Sequence, residues 1–328
     1  MAKLNDEFSL IAKYFAPLSG EGSFGLKDDA ALFIPEKGNS IVVTQDALAS
    51  GVHFFPDDPP ALIAKKALRV NISDLASKGA KPKSFSLALG LSAETDENWV
   101  SEFAQGLGED CKHYDISLSG GDTFKSNAGL VISITAFGEI PEFEYTSRLC
   151  GKAGQHVYVT GTIGDAALGL LARQEKLPDL TSKHQEFLIN RYLLPEPRTS
   201  MRSVIRQFAS SAMDISDGLV ADLKKLCEAS SVSARLNLPE VPLSTAVQEA
   251  IALESSLLET AISGGDDYEI LFSVDPDNAD ALRNAAEECG VQVACIAELV
   301  EGNGSVSVID ETGKPINLKA SGFNHFGA

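Results

Sequence analysis

Hydrophobic residues recur along this chain at two spacings, which predict an alternation of helices and strands. Phe8, Ile11 and Phe15 follow the three- and four-residue spacing of an amphipathic helix. Further helices are predicted over 60–79, which begins with a proline and stops at a glycine, and over 97–114. The strands predicted in this half are 30–34, 40–44, 85–91, 116–118 and 130–137. This order is typical of an α/β or α+β fold.

A stretch without hydrophobic periodicity, 141–154, contains proline, glycine and charge and predicts a domain boundary. We therefore expect an N-terminal domain over 1–140 and a C-terminal domain over 150–328. Strands are predicted in the second half at 156–160, 212–215, 233–236, 268–274 and 291–296, with a hairpin near 311–314. Helices are predicted from about 165 and over 184–193, 199–208, 219–230 and 278–289. The second half is therefore also mixed in helix and strand.

The composition favours a cytoplasmic enzyme. Among 328 residues, 27 are Lys or Arg and 46 are Asp or Glu, so the formal net charge is −19. Because no basic stretch could replace phosphate counterions, nucleic acid is disfavoured as a partner. We expect no membrane partner either, since no apolar run approaches about 18 residues and no leader is recognisable. The five cysteines include no C-x-x-C pair, which argues against a disulfide framework.

Glycine-rich patterns that often bind nucleotides do not fit this chain. Residues 20–25 match G-x-G-x-x-G, but a helix is predicted before them and a strand after them, the reverse of the dinucleotide-binding order. We predict a loop there. The Gly-Lys pairs at 151–152 and 313–314 lack the other residues of a phosphate-binding P-loop. A nucleotide would therefore have to be held mainly through metal ions.

Aspartates gather beside glycines and at predicted strand ends, where α/β proteins collect ligand-binding groups. They are Asp28–Asp29, Asp46, Asp122, Asp165, Asp214, Asp217 and Asp266–Asp267. One such residue is usually a turn or a helix cap, but several together without His or Cys suit a hard cation such as Mg²⁺. Strand alternation places Asp214 and Ser216 on one face. Asn71 and Asp74 share a helix face at i, i+3.

Ordered motifs run through nearly the whole chain. They are Gly-Leu-Lys-Asp-Asp-Ala-Ala (25–31), Thr-Gln-Asp-Ala-Leu-Ala-Ser-Gly-Val-His-Phe (44–54), Asn-Ile-Ser-Asp-Leu-Ala-Ser-Lys-Gly-Ala (71–80), Gly-Gly-Asp-Thr (120–123), Thr-Gly-Thr-Ile-Gly-Asp (160–165), Met-Asp-Ile-Ser-Asp-Gly-Leu (213–219) and Gly-Gly-Asp-Asp-Tyr-Glu (264–269). Together they resemble the thiamine-monophosphate kinase family, in the superfamily of aminoimidazole-ribonucleotide synthetase and selenophosphate synthetase.

The resemblance implies ATP-dependent phosphorylation of thiamine monophosphate to thiamine diphosphate, with several Mg²⁺ ions. It also implies a homodimer in which α/β N-terminal halves form a shared β-barrel, each followed by an α+β C-terminal domain. The implied metal ligands are Asp29, Thr44, Asp46, Asp74, Asp122, Asp214 and Asp217. The implied ATP contacts are Gly121, Asp122, Arg148 and Ser216. The implied contacts to thiamine monophosphate are His53, Asp266 and Phe323.

Four residues differ from the usual pattern of the family that the chain resembles. Lys27 stands where Gly is common, and Gln45 stands where Thr is common, which matters only if that hydroxyl binds metal. Asp266 is one methylene shorter than the commoner Glu, and Phe323 replaces a Trp or Tyr, so it stacks without a polar group.

The implied reaction needs no side chain as general base, because an acceptor phosphate is already mostly dianionic at pH 7. We therefore expect no catalytic residue in that sense: the carboxylates place metal ions, and His53 orients the acceptor. Three alternatives remain open on sequence grounds. They are a sibling enzyme with another acceptor, a non-catalytic nucleotide- or Mg²⁺-binding protein, and a Mg²⁺-dependent hydrolase.

Overall fold

The computed structural model describes residues 7–316 and 318. These residues divide into two compact units. The first takes its residues from 1–75 and 80–143, and the second from 76–79 and 144–328. In the described part of the chain, no helix is both long enough and apolar enough to cross a membrane.

The first unit is built on a four-stranded sheet. Its strands are β1 (Asn39–Ala49), β2 (Lys81–Leu91), β3 (Ser117–Lys125) and β4 (Val131–Pro141). Its helices are α1 (Glu7–Leu10), which continues into a wider turn over Ile11–Phe15, α2 (Pro60–Ser77) and α3 (Glu97–Tyr114). The strand order is β1-β4-β2-β3, with β4 antiparallel to both neighbours and β2 parallel to β3. Within the described residues the sheet is open, with β1 and β3 at its edges.

Alternating burial along β1 determines which of its side chains reach α2. Val43 is 56% exposed, whereas Leu48 is 4% exposed, and the even-numbered positions between 42 and 48 are the more buried ones. Successive side chains of a strand point to opposite faces. Thr44 and Asp46 therefore lie on the inner face of β1, while Val43 and Gln45 lie on the outer face.

The second unit is built on a seven-stranded sheet with the order β11-β10-β7-β9-β5-β8-β6. Its strands are β5 (His156–Thr160), β6 (Ala209–Asp214), β7 (Ser233–Asn237), β8 (Ile270–Val274), β9 (Val293–Val300), β10 (Val306–Ile309) and β11 (Pro315–Ile316). Its helices are α4 (Asp165–Arg173), α5 (Ser182–Leu193), α6 (Arg202–Phe208), α7 (Leu219–Ser230), α8 (Thr245–Leu253), α9 (Leu257–Ser263) and α10 (Ala279–Glu288). Among the described strands of this unit, only β7 and β10 pair in parallel, so it is an α+β arrangement.

Two apolar clusters lie on opposite faces of the second sheet, because neighbouring residues of β5 point in opposite directions. Val157 and Val159 belong to the cluster that includes Leu223 of α7. Tyr158 belongs to the cluster that includes Val204 of α6 and Leu282 of α10. The sheet is thus covered by helices on both faces, and its strand ends remain available for loops that carry polar groups.

Most predicted helices and strands are confirmed, but one predicted strand is wrong. Residues 30–34 form an extended loop, in which Leu32 is 59% and Ile34 75% exposed. The apolar run has no partner strand among the described residues, and one hydrogen bond, from Leu32 N–H to Gly22 O (2.8 Å), fixes its start. The loop predicted over 20–25 is confirmed, and the predicted hairpin is formed by β10 and β11.

Candidate functional site

In the first unit, β1 and α2 bring together three predicted metal ligands, Thr44, Asp46 and Asp74, and a fourth polar residue, Asn71. Thr44 Oγ1 donates a hydrogen bond to Asp74 Oδ2. The Asp46 backbone N–H donates to Asn71 Oδ1 at 3.1 Å, and Asn71 is fully buried, with its Nδ2 donating to Ala67 O at 3.0 Å. Asn71 and Asp74 share one helix face, as their spacing predicts. The structure therefore brings together Thr44, Asp46 and Asp74, three of the metal ligands that the resemblance implies.

His53 follows β1 in a tight turn. Its Nδ1 accepts a hydrogen bond from the Ala49 backbone N–H at 3.1 Å, and its carbonyl oxygen accepts one from Lys66 Nζ at 3.0 Å. Because Nδ1 is an acceptor, the neutral ring carries its proton on Nε2. The neutral His53 ring can therefore donate a hydrogen bond from Nε2 to a ligand.

Asp122 and Asp46 do not end their strands, contrary to the prediction. Asp122 lies exposed inside β3, paired with Ala88, and Asp46 lies inside β1, paired with Ile134. The strands continue because neighbouring strands satisfy their backbone groups, which overrides the turn preference of aspartate and glycine. Gly121 precedes Asp122 with φ 154°, and a Cβ there would lie 1.9 Å from Leu87 O, so only glycine fits.

Asp29, a predicted ligand, and Gln45 make no described side-chain hydrogen bond to the cluster on β1 and α2. Asp29 lies in an exposed loop, and none of the described contacts joins it to Thr44 or Asp74. Gln45 points to the outer face of β1, where its Nε2 donates to Ser133 Oγ at 3.0 Å. The substitution of Thr by Gln at this position therefore leaves the inner face of β1 unchanged.

The donor set of this cluster suits Mg²⁺. Asp46, Asp74, Thr44 and Asn71 offer carboxylate, hydroxyl and amide oxygens, which hard divalent cations prefer. Within the described residues, no group of three or more His, Cys, Asp or Glu side chains is close enough to form a protein-only metal cage. Mg²⁺ usually takes one or two carboxylates and completes its shell with water and substrate phosphates, so the residues fit the ion.

In the second unit, the turn after β6 carries three more predicted residues. Asp214 ends β6 with 7% exposure, and Ser216 and Asp217 follow in the turn. Asp222 of α7 accepts hydrogen bonds from the backbone N–H groups of Ser216 and Asp217, both at 2.9 Å. Lys225 Nζ donates to Asp222 Oδ1 at 2.7 Å and also to Asp217 Oδ2. Asp222 therefore fixes the turn that presents Ser216 and Asp217.

Asp222 and Lys225 were not found by sequence reasoning. One sequence feature could have indicated Asp222. It lies in the first turn of a predicted helix that directly follows Asp217-Gly218, and a carboxylate in that position often caps a helix. Burial raises the pKa of the Asp222 carboxyl above its usual range, although Lys225 opposes this shift.

A segment comprising residues 264–269 crosses the same turn. Gly265 approaches it closely, since a Cβ there would lie 2.1 Å from Ser216 O. The Asp266 N–H donates to Ser216 O and the Tyr268 N–H donates to Ile215 O, both at 2.9 Å. The structure therefore places Asp266, predicted to bind the acceptor, next to Ser216, predicted to bind ATP. A strand was predicted to begin at 268, but it begins at Ile270, because 264–269 follows this turn.

Two buried carboxylates anchor this segment, and sequence reasoning did not assign them a role. Asp267 accepts hydrogen bonds from the N–H groups of Gly164 (2.7 Å) and Ala166 (3.2 Å) at the start of α4, and burial raises its pKa well above the usual range. Glu269 is fully buried and accepts hydrogen bonds from Thr160 Oγ1 (2.6 Å), Arg191 Nη2 (3.0 Å), Arg198 Nε (2.7 Å) and Arg198 Nη2 (2.5 Å). Arg191 and Arg198 are far from Glu269 along the chain, so no local sequence pattern indicated that they bind it.

Two further residues singled out by sequence, Arg148 and Lys27, lie elsewhere in the described structure. Arg148 is exposed in the segment after β4, and its carbonyl oxygen accepts a hydrogen bond from Ser230 Oγ at 2.8 Å. Lys27 is exposed in the loop before β1. Phe323 lies outside the described residues.

Comparison with known proteins identifies the family. Models of the AIR synthase related protein family match the chain, the N-terminal domain over residues 27–140 and the C-terminal domain over 152–310. A thiamine-monophosphate kinase of Caulobacter vibrioides is 41% identical over 303 residues, which cover 91% of this chain and 85% of that protein. The crystal structure of thiamine-monophosphate kinase from Stenotrophomonas maltophilia K279a matches with a TM-score of 0.80 and 36% identity, over 89% of this chain and 91% of that chain.

A second solved structure, AaThiL complexed with AMPPCP and TMP, matches with a TM-score of 0.78 and 29% identity, over 98% of this chain and 94% of that chain. This chain therefore belongs to the thiamine-monophosphate kinase family of the AIR synthase related proteins. The resemblance predicted from the motifs is confirmed.

Proposed function

We propose that this chain transfers the γ-phosphoryl group of ATP to the phosphate of thiamine monophosphate, forming thiamine diphosphate and ADP. Family membership over nearly the whole chain supports this activity, as does a relative solved with AMPPCP, an ATP analogue, and TMP. The observation that carries the proposal in this chain is the oxygen-rich cluster of Thr44, Asp46 and Asp74 on β1 and α2.

The proposed Mg²⁺ ligands are those that the resemblance implies. They are Asp29, Thr44, Asp46, Asp74 and Asp122 of the first unit, and Asp214 and Asp217 of the second. Bound Mg²⁺ would neutralise the charge shared by ATP and the acceptor phosphate and so lower the electrostatic barrier to in-line transfer. Asn71 supports this set because its buried amide oxygen holds the Asp46 backbone in place.

The remaining proposed residues bind and orient the substrates. We retain Gly121 and Ser216 as ATP contacts on the strength of the resemblance. Arg148 binds phosphate through its guanidinium group. His53 and Asp266 hold the acceptor, and we retain Phe323 as a third acceptor contact on the strength of the resemblance.

No side chain needs to take a proton in this reaction. The nucleophile is an acceptor phosphate oxygen, which is mostly ionised at pH 7. The hydrogen bond from Ala49 to His53 Nδ1 leaves the proton of the neutral ring on Nε2, so His53 donates to the acceptor and does not deprotonate it.

We further propose a cytoplasmic homodimer in which the first units of two copies form a closed β-barrel. Two features support this assembly. The outer face of β1 exposes Ile41 (41%) and Val43 (56%), and β1 is an edge strand of the described sheet. Exposed apolar faces and unpaired edges are usually covered in stable proteins. Sedimentation velocity of the purified chain tests this assembly, and a monomer at micromolar concentration contradicts it.

The activity is tested by measuring ADP release from ATP and Mg²⁺ with and without thiamine monophosphate. We expect ADP release only with the acceptor, in a one-to-one ratio with thiamine diphosphate, and none with unphosphorylated thiamine. ADP and phosphate without an acceptor would instead indicate a hydrolase. No turnover with any phosphorylated acceptor would indicate a binding protein, and turnover only with a different acceptor would indicate a sibling enzyme.

A further inference from the structure

We infer that Tyr268 is a positioning residue for the acceptor, because its hydroxyl group holds the Asp266 carboxylate and buried neighbours hold both residues in place. Tyr268 Oη donates to Asp266 Oδ1 at 3.2 Å. The inference rests on the proposed function, since it takes Asp266 to be the residue that binds thiamine monophosphate.

Burial alternates along the segment that carries this pair. Asp267 is 2% and Glu269 0% exposed, whereas Asp266 and Tyr268 are only partly buried. The two inward carboxylates make all their described hydrogen bonds to groups of the second unit. The outward pair therefore lies on the side of the segment that remains open to a ligand.

The backbone of the segment is strained at the two outward residues. Asp266 has φ 72° and Tyr268 has φ 51°, in the left-handed region that residues other than glycine rarely adopt. Such conformations persist only where the surrounding structure determines them, and they concentrate at functional sites. Hydrogen bonds from the backbone N–H groups of both residues to the turn at 215–216 help to hold this backbone conformation.

The two inward residues, Asp267 and Glu269, make the other contacts that hold this backbone conformation. Asp267 accepts hydrogen bonds from two N–H groups at the start of α4. Glu269 is held by two hydrogen bonds from the Arg198 guanidinium and one from Arg191. With both neighbours fixed, Tyr268 has little freedom, so its hydroxyl group directs the Asp266 carboxylate.

A carboxylate with a fixed direction suits the chemistry of the acceptor. Thiamine carries a cationic thiazolium ring and an aminopyrimidine, and a carboxylate can bind either group. An aspartate side chain loses less binding free energy to ordering if its rotamer is already set before the ligand arrives. Tyr268 therefore acts on affinity for the acceptor and has no part in ATP binding or in phosphoryl transfer.

The test compares steady-state kinetics of Tyr268→Phe, Asp266→Ala and the double variant with those of the wild type. Loss of one hydrogen bond to a carboxylate predicts that Tyr268→Phe raises KM for thiamine monophosphate about 3- to 10-fold, with kcat and KM for ATP unchanged. In the Asp266→Ala background, Tyr268→Phe should change KM less than about 2-fold, because the tyrosine acts through the aspartate. Tyr14→Phe, which also removes a tyrosine–carboxylate hydrogen bond, to Glu97 at 2.9 Å, is the matched control and should change nothing.

Several outcomes overturn the inference. An unchanged KM for the acceptor in Tyr268→Phe does so, as does an equal effect of Tyr268→Phe with and without the Asp266 carboxylate. A fall in kcat with unchanged acceptor KM also contradicts it, because a positioning residue for binding should not act on transfer alone. A wild-type chain that phosphorylates no thiamine monophosphate would instead refute the proposed function, so the two failures are distinguishable.

Discussion

Replacing the buried Glu269 by Gln tests how much the second unit depends on its internal ion pairs. The carboxylate of Glu269 is fully buried and accepts hydrogen bonds from Thr160, Arg191 and Arg198. A glutamine keeps the shape, but it retains one acceptor oxygen and turns an NH₂ group toward guanidinium donors. Two arginines then lose their shared buried countercharge.

Breaking a buried pair in this way costs about 3–5 kcal/mol, a large fraction of the about 5–15 kcal/mol that stabilises an ordinary protein. For a domain of 150–250 residues, each kcal/mol shifts Tm by roughly 2–4 °C, so we expect a fall of about 6–20 °C. Differential scanning calorimetry of the full chain measures this shift.

Glu196→Gln is the matched control, because Glu196 contacts the same two arginines from the solvent side. Its side chain is 57% exposed, and its Oε2 lies 3.2 Å from Arg191 Nη1 and 3.5 Å from Arg198 Nη1. An exposed pair contributes about 0–1 kcal/mol, so this variant should lower Tm by only a few degrees at most. Equal shifts for the two variants, or a shift below about 2 °C for Glu269→Gln, would refute the argument from burial.

Asp74→Asn should reduce turnover at least about 100-fold and raise the Mg²⁺ concentration required, with an unchanged circular dichroism spectrum; normal activity at ordinary Mg²⁺ would remove Asp74 from the proposed metal ligands. His53→Gln should keep most of kcat at saturating substrates, since Nδ1 is engaged by a backbone N–H; a loss of about 10²–10⁴-fold with intact acceptor binding would show that His53 is a general base after all. Burial raises the pKa of the Cys111 and Cys227 thiols to about 12, so only about 10⁻⁴ of each is thiolate at pH 8. Mass spectrometry after brief alkylation should find the exposed Cys150 modified and these two unmodified; rapid labelling of Cys227 would contradict its burial.

The sequence was sufficient for features that depend on local spacing. The helix that carries Asn71 and Asp74 follows from periodicity, a proline at its start and a glycine after its end. The strand predicted at 212–215 is observed as β6 (Ala209–Asp214), so its end differs from the prediction by one residue. These features are local because a helix or strand end is set by residues within a few positions of it.

The sequence alone failed where a residue's environment comes from distant segments. Residues 30–34 have the composition of a strand but find no partner among the described residues, and β1 continues through Asp46 because β4 and α2 satisfy its polar groups. Glu269 looks like the start of a strand, yet Arg191 and Arg198, more than seventy positions earlier, make it a buried anchor. Motif and spacing thus determined which residues offer ligand oxygens. Only the tertiary structure decided which of them meet, because burial and ion pairing depend on segments that are far apart along the chain.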